Sequence, residues 1–312
     1  MFRSWSRWLK WFGLAALLLW LWGERGRLLR NSTWRMVHLS GWKRFFNLTT
    51  LHGYIYSRWT NLYIRIGALH IAPRLNRRGK RWLANHYHGK VLTNDLARAV
   101  VKVDREIPLR DLEHILPYPI ARNLMLQASP DIAAYECPCR HLRENPCQPT
   151  QVCMVVGQPF VDFVLEHHPT RSRRLSRQEA LDLLEAEHKR GHIHTAWFKD
   201  AAAGRFYAIC NCCKCCCGGI DAMTQLGIPM MVSSGYVAQI GGACTGCGLC
   251  VEACPFDALY IDEGRARIVW GQCMGCGVCV SRCQRQIIKL ARDPRKGTPL
   301  DVEALADEAA AS

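Results

Sequence analysis

"CTGCGLCVEAC" (residues 244–254) and "CMGCGVCVSRC" (residues 273–283) are two copies of one run, C-x2-C-x2-C-x3-C, set 29 residues apart. A self-similar pair of this kind marks a duplicated structural unit. The spacing has a chemical reason. Three cysteines at three-residue intervals, on loops loosened by Gly246, Gly248, Gly275 and Gly277, can converge on one metal cluster. The fourth begins a helix and points away from its own run, toward the other copy.

Residues 236–292 resemble a bacterial two-[4Fe–4S] ferredoxin domain. The resemblance implies that Cys244, Cys247, Cys250 and Cys283 hold one cluster. It implies that Cys273, Cys276, Cys279 and Cys254 hold the other. The apolar pieces "ALYID" (258–262) and "ARIVW" (266–270) alternate with period two and predict a hairpin across Glu263–Arg265. Two zinc sites are the competing reading, but zinc favours paired C-x2-C spacing over two four-cysteine runs. Two features depart from the family pattern. Gln284 follows the last cysteine where proline is common, whereas Pro255 follows Cys254. Residues 236–292 also carry six basic and four acidic residues, where soluble ferredoxins of this type are usually acidic. A fixed partner suits that balance better than diffusive docking on a basic patch.

All 18 cysteines lie between Cys137 and Cys283. Ten precede the duplicated runs: Cys137, Cys139, Cys147 and Cys153, then "CNCCKCCC" with Cys210, Cys212, Cys213, Cys215, Cys216 and Cys217. In an extended chain Cys210, Cys212 and Cys216 would share one face, and Cys213, Cys215 and Cys217 the other. One metal cannot easily take both Cys212 and Cys213, so the ten predict at least one further site. A third iron–sulfur cluster is the first candidate, zinc the second and disulfides the third. Between the two groups, Ser176-x-x-Glu179 is a capping box that starts a helix burying Ala180, Leu181 and Leu184, with Gly191 ending it. "HIHTAWF" and "RFYAICNC" then read as strands around the turn "KDAAAG", folding the octet back beside Cys137. His192 and His194 are potential ligands, with a solvent-facing position the more common fate of such a pair.

The charge of +15 is uneven. Residues 1–100 carry 18 Lys/Arg against two acids, and nine of the 11 tryptophans. Residues 11–23, "WFGLAALLLWLWG", are uninterruptedly apolar but span only about 20 Å as a helix. Flanking tryptophans, and a Lys10 able to snorkel, predict a membrane anchor, with a buried or interfacial helix as the alternative. Arg25, Arg27, Arg30 and Arg35 after the run place the main body on the cytoplasmic side of a bacterial-type inner membrane. The basic surface that follows suits anionic lipid. Nucleic acid is disfavoured, since no RRM, KH or zinc-finger signature is present and the helix-and-hairpin pattern lacks a clear recognition helix.

No Walker A, G-x-G-x-x-G, G-x-S-x-G, H-E-x-x-H or radical-SAM triplet occurs, so no nucleotide or flavin site is expected and no catalytic residue is assigned. The expected class is α+β, in five parts. These are a membrane-anchor segment (1–35), a basic, mostly helical region (36–130), a Cys-rich α+β middle (131–235), a ferredoxin-like duplicated ββ/α dicluster domain (236–292) and a flexible tail (293–312). The expected function is one-electron relay through two [4Fe–4S] clusters between redox partner proteins at the membrane. The alternatives are an oxidoreductase, or subunit of one, with its substrate or metal site in the Cys137–Cys217 module, and a redox-sensing nucleic-acid binder.

Overall fold

The computed structural model describes residues 2–40, 48–104, 107–110, 115, 123–126, 130–199, 202 and 205–311. Most of the expected turn "KDAAAG" and the stretch "GWKRFFN" (41–47) lie outside them.

Among the described residues five α-helices come first: α1 (Phe2–Gly23), α2 (Asn31–Ser40), α3 (Leu48–Arg58), α4 (Thr60–Ile66) and α5 (Arg77–His86). Strand β1 (Tyr87–Leu92), helix α6 (Asn94–Lys102) and the hairpin strands β2 (Ile107–Arg110) and β3 (Asn123–Leu126) follow. The Cys-rich stretch supplies β4 (Ile132–Glu136), β5 (Gln151–Val156), α7 (Phe160–His167), β6 (Ser172–Leu175), α8 (Arg177–Lys189), β7 (Ile193–Lys199), β8 (Arg205–Cys212), α9 (Gly218–Thr224) and β9 (Met231–Val232). Seven strands form one sheet in the order β6-β4-β5-β8-β7-β1-β9, antiparallel except for β1 with β9. Strand β1 of the basic segment is thus paired inside the same sheet as the Cys-rich strands, Tyr87 opposite Lys199 and Leu92 opposite His194.

The capping box starts α8 as expected: Ser176 Oγ accepts from the Glu179 N–H at 3.2 Å, and Glu179 Oε2 accepts from the Ser176 N–H at 2.8 Å. Ala180, Leu181 and Leu184 are buried, and Gly191, at φ 83°, turns the chain out of the helix. One face of the sheet packs Ala134, Met154, Ala196, Phe198 and Ile209 against α6, α8 and the C-terminal helix α12 (Val302–Ala311). Leu300, Val302, Leu305 and Ala306 are buried there, so the expected flexible tail is instead part of the core. Strands β7 and β8 are central to the sheet, unlike the wing of a winged helix.

After β9 come β10 (Tyr236–Ile240), α10 (Leu249–Ala253), β11 (Leu259–Asp262), β12 (Arg265–Ile268), α11 (Val278–Arg282) and β13 (Ile288–Arg292). β10 pairs with β13 and β11 with β12, both antiparallel. The expected hairpin forms, one residue tighter than its forecast: Glu263 and Gly264 (φ 47° and 71°) make the turn and Arg265 already pairs with Asp262. Two consecutive positive φ values match the twist of antiparallel strands.

Among the described residues no helix is long and apolar enough to cross a membrane, which corrects the expected transmembrane anchor. Helix α1 has 22 residues, but Arg3, Arg7 and Lys10 occupy its first half. Its end is tied to the protein. Buried Glu24 accepts hydrogen bonds from the Arg30 N–H at 2.6 Å and Thr33 Oγ1 at 2.9 Å, and meets His167 Nε2 at 3.3 Å.

Buried histidines make the fold acid-sensitive, His88 among them. Burial pushes His168 and His194 down from 6.5 to about 4. The unfolded chain therefore binds their protons first, so stability falls as pH drops below about 6.5 and levels off below about 4, by up to about 3 kcal/mol for each histidine. Urea midpoints measured from pH 7 to 4 are expected to fall, and His168→Gln to flatten part of that slope. An unchanged slope in that variant would count against His168 as a source.

Candidate metal centres

The duplicated runs build two thiol quartets. The charge environment of Cys250 contains Cys244, Cys247 and Cys283. That of Cys279 contains Cys276, Cys273 and Cys254, and also Cys250. These groupings are compatible with the two sets that the ferredoxin resemblance implies, and Cys250 and Cys279 are both buried. In both runs the chain enters its short helix through a left-handed glycine, Gly248 (φ 81°) and Gly277 (φ 84°), which aims the third cysteine inward. Two residues earlier, Gly246 and Gly275 let the loops touch backbone. A Cβ at Gly246 would meet Gly264 O at 2.3 Å, and one at Gly275 would meet Tyr236 O at the same distance.

The second quartet lines a small cavity of about 20 Å³ with Ala238, Phe256, Leu259, Ile268 and Leu290. Burial pushes the Cys276 thiol up to about 12 and the Cys279 thiol higher still. A thiol so placed gives up its proton when a metal takes its place. The Ala258 N–H donates to Cys254 Sγ and the Ala266 N–H to Cys244 Sγ, both at 3.3 Å. Clustered thiols with backbone N–H donors to sulfur fit iron–sulfur ligation.

The ten upstream cysteines divide in two. Cys137, Cys139, Cys153, Cys210, Cys212 and Cys217 form a loose ring of neighbouring, largely buried thiols: Cys139 and Cys210 pack against Cys137 and Cys153, and Cys210 also packs against the cluster that holds Cys212 and Cys217. The sheet explains four of its members. Cys210 and Cys212 alternate on β8 and so share a face, β5 runs beside β8, and Cys137 follows β4. Cys147, Cys213, Cys215 and Cys216 form a separate set with all four Sγ atoms within 4.8 Å of one another. The expected alternation of faces stops at Cys212, where β8 ends. Cys216 and Cys217 both donate N–H to Cys213 O, and that turn sends Cys217 to the ring and Cys216 to the compact set. Cys212 and Cys213 thus serve different sets, as their adjacency requires.

The surroundings of these thiols could not be read from spacing. Lys199, buried beside Cys210, Cys139 and Cys153, donates to Tyr56 Oη and lies 3.8 Å from the centre of that ring. Burial pushes it down to about 7, although the thiols pull the other way. Tyr56 and Tyr207 meet at 3.1 Å through their hydroxyls. Arg140, adjacent to Cys139, is fully buried and donates to Glu187 Oε2 at 2.8 Å. His192 and His194 are both buried, correcting the expected solvent-facing placement. His192 Nδ1 meets Glu187 Oε2 at 2.7 Å, and His194 Nδ1 donates to Asn211 Oδ1 at 2.6 Å. Neither belongs to the compact thiol set.

Residues 237–284 match the family of 4Fe-4S dicluster domains, so the chain carries a ferredoxin-type domain at its C-terminal end, of a class suited to iron–sulfur electron transfer. Neither the curated proteins nor the solved structures provide a match.

Proposed function

We propose that this protein relays single electrons through two [4Fe–4S] clusters between redox partners, one of them held at the cytoplasmic face of a membrane. The observation that carries the proposal is that the cysteines of both runs gather in one buried cluster, which holds Cys250, Cys254, Cys273 and Cys279, beneath a duplicated sequence run. Cys244, Cys247, Cys250 and Cys283 are the ligands of the first cluster, and Cys273, Cys276, Cys279 and Cys254 those of the second. Bound there, such clusters supply one-electron chemistry at potentials that the chain tunes. The chain's part is to bury the sulfurs, shed solvent with Phe256 and Leu259, and donate N–H bonds from Ala258 and Ala266 to sulfur. Replacing all eight cysteines by serine is expected to remove about eight irons per chain from protein prepared without oxygen. Iron unchanged by those replacements would end the proposal.

Membrane attachment is proposed as peripheral. Trp11, Phe12, Leu14, Leu17, Leu18, Leu19 and Trp22 stand exposed on α1. A further exposed series, Leu51, Ile55, Leu62, Ile66 and Leu69, lies on the helical segment after it. An apolar helix lying in the headgroup layer, beside arginines that meet anionic lipid, accounts for both. The full chain is expected to sediment with vesicles containing phosphatidylserine and to bind less as salt rises. Trp11→Ser/Phe12→Ser/Leu18→Ser should reduce binding several-fold, and equal binding by that variant would refute attachment through α1.

A further inference from the structure

The ferredoxin-type domain leaves ten thiols unexplained, and their arrangement goes further than a single extra site. Tetrahedral coordination with metal–sulfur bonds of about 2.3 Å places neighbouring sulfurs about 3.8 Å apart. Four thiolates on a cubane stand much further apart, because a whole cluster separates them. Cys147, Cys213, Cys215 and Cys216 lie within 4.8 Å of one another, with Cys147 Sγ and Cys215 Sγ at 2.8 Å and Cys215 Sγ and Cys216 Sγ at 3.5 Å. That is the scale of one ion. Among the described residues the eight ferredoxin-type cysteines form no such compact set. The ring of six differs from both in number. Six thiols exceed what one tetrahedral ion or one cubane binds, and none of the ring members belongs to the compact set.

A second, independent observation concerns charge. Thiolate sites are anionic, and two arginines reach both sets. Arg140 interacts with Cys213 and Cys137, and Arg143 with Cys216 and Cys139. Arg140 is 0 % exposed, and its Nε has no hydrogen-bond partner, as is also true of the buried Nε of Arg143. Leaving a buried N–H unpaired is unfavourable. Thiolate sulfur on a bound metal would accept such donors.

We infer that the middle cysteines build two distinct metal sites: a single tetrahedral zinc ion on Cys147, Cys213, Cys215 and Cys216, and a polynuclear iron–sulfur cluster on Cys137, Cys139, Cys153, Cys210, Cys212 and Cys217. The zinc site fastens the loop after β8 to the Cys147 loop. The ring site faces the ferredoxin-type domain through one buried cluster in which Cys212, Cys217, Ile220, Phe256 and Cys254 pack together. Lys199 and the Tyr56–Tyr207 pair flank it on the other side. Such a centre is placed to receive electrons from the relay, but its existence does not depend on the relay.

The test uses the full chain, prepared without oxygen in zinc-supplemented medium. About one zinc per chain is expected, with iron clearly above the eight atoms of two cubanes. Cys147→Ser/Cys215→Ser should lose the zinc and keep the iron. Cys153→Ser/Cys210→Ser should lose only the iron in excess of eight and keep the zinc. Either pair lowering both metals together would overturn the division into two sites. Iron at or below eight in the unaltered chain would overturn the ring assignment. Zinc-edge X-ray absorption of the unaltered chain does not depend on how the variants fold. It should show four sulfurs at about 2.3 Å and no neighbouring metal. Nitrogen or oxygen ligands, a metal neighbour, or a zinc-free Cys147–Cys215 disulfide would overturn the zinc assignment.

Discussion

Gly275→Ala is expected to strip the ferredoxin-type domain of about half its iron, and Gly246→Ala to do the same to the other quartet. Both residues hold positive φ, 65° and 67°, where a side chain is already strained. Space is the larger obstacle. A Cβ at position 275 would lie 2.4 Å from Ser234 Oγ as well as 2.3 Å from Tyr236 O, and one at 246 would lie 2.7 Å from the Gly264 carbonyl carbon. Backbone cannot swing aside as a long side chain can. The loop must therefore back away, carrying its first two cysteines with it. Strain and overpacking together amount to about 3 kcal/mol or more. At the neighbouring Gly248 a Cβ would meet nothing within 4 Å, and its alanine variant should retain more iron than Gly246→Ala. Iron per chain after anaerobic purification measures this. Equal retention by all three variants would show that contact with the neighbouring strands does not hold the loops in place.

The duplicated runs made this region legible because ligand spacing, glycine placement and hairpin alternation all repeat locally. The capping box was equally local: Ser176 and Glu179 need only each other. The rest depended on long-range pairing. Nothing in "HIHTAWFK" marks Lys199 as a residue buried between tyrosines and thiols, because its neighbours Tyr56 and Cys139 come from distant segments. The division of the octet was half legible. Crowding forbade one site from taking both Cys212 and Cys213, but where the strand would end, and so which thiols would swap faces, was set by the turn at Cys213. The anchor was overread for a similar reason. Tryptophans and an apolar run suggested a span, whereas basic residues occupy the first half of the same helix and leave its apolar stretch too short to cross.

Arg140→Met is expected to be among the most damaging single changes outside the ferredoxin-type domain. Arg140 and Glu187 are both 0 % exposed and meet at 2.8 Å. Burial opposes the charge on each, and each is held ionised by the other, with His192 also facing the carboxylate at 2.7 Å. Removing one partner of a buried pair leaves the other charge stranded, at a typical cost of about 3–5 kcal/mol. Here Arg190, which reaches Glu187 Oε1 at 2.7 Å from the surface, offsets part of that, so about 3 kcal/mol is expected. Arg140 also donates to Pro149 O and approaches Cys147 O, so its loss frees the loop that carries Cys139 and Cys147. A drop in urea midpoint should therefore accompany loss of the zinc. Arg140→Met/Glu187→Met removes both charges and should recover much of the stability but not the zinc, because the loop contacts stay broken. The pair also has a pH signature. Glu187 is held below its ordinary value, so its contribution is present above about pH 4.5 and fades as pH falls through the lowered value. An unfolding free energy of Arg140→Met within about 0.5 kcal/mol of the parent would mean that the pair does not hold this loop.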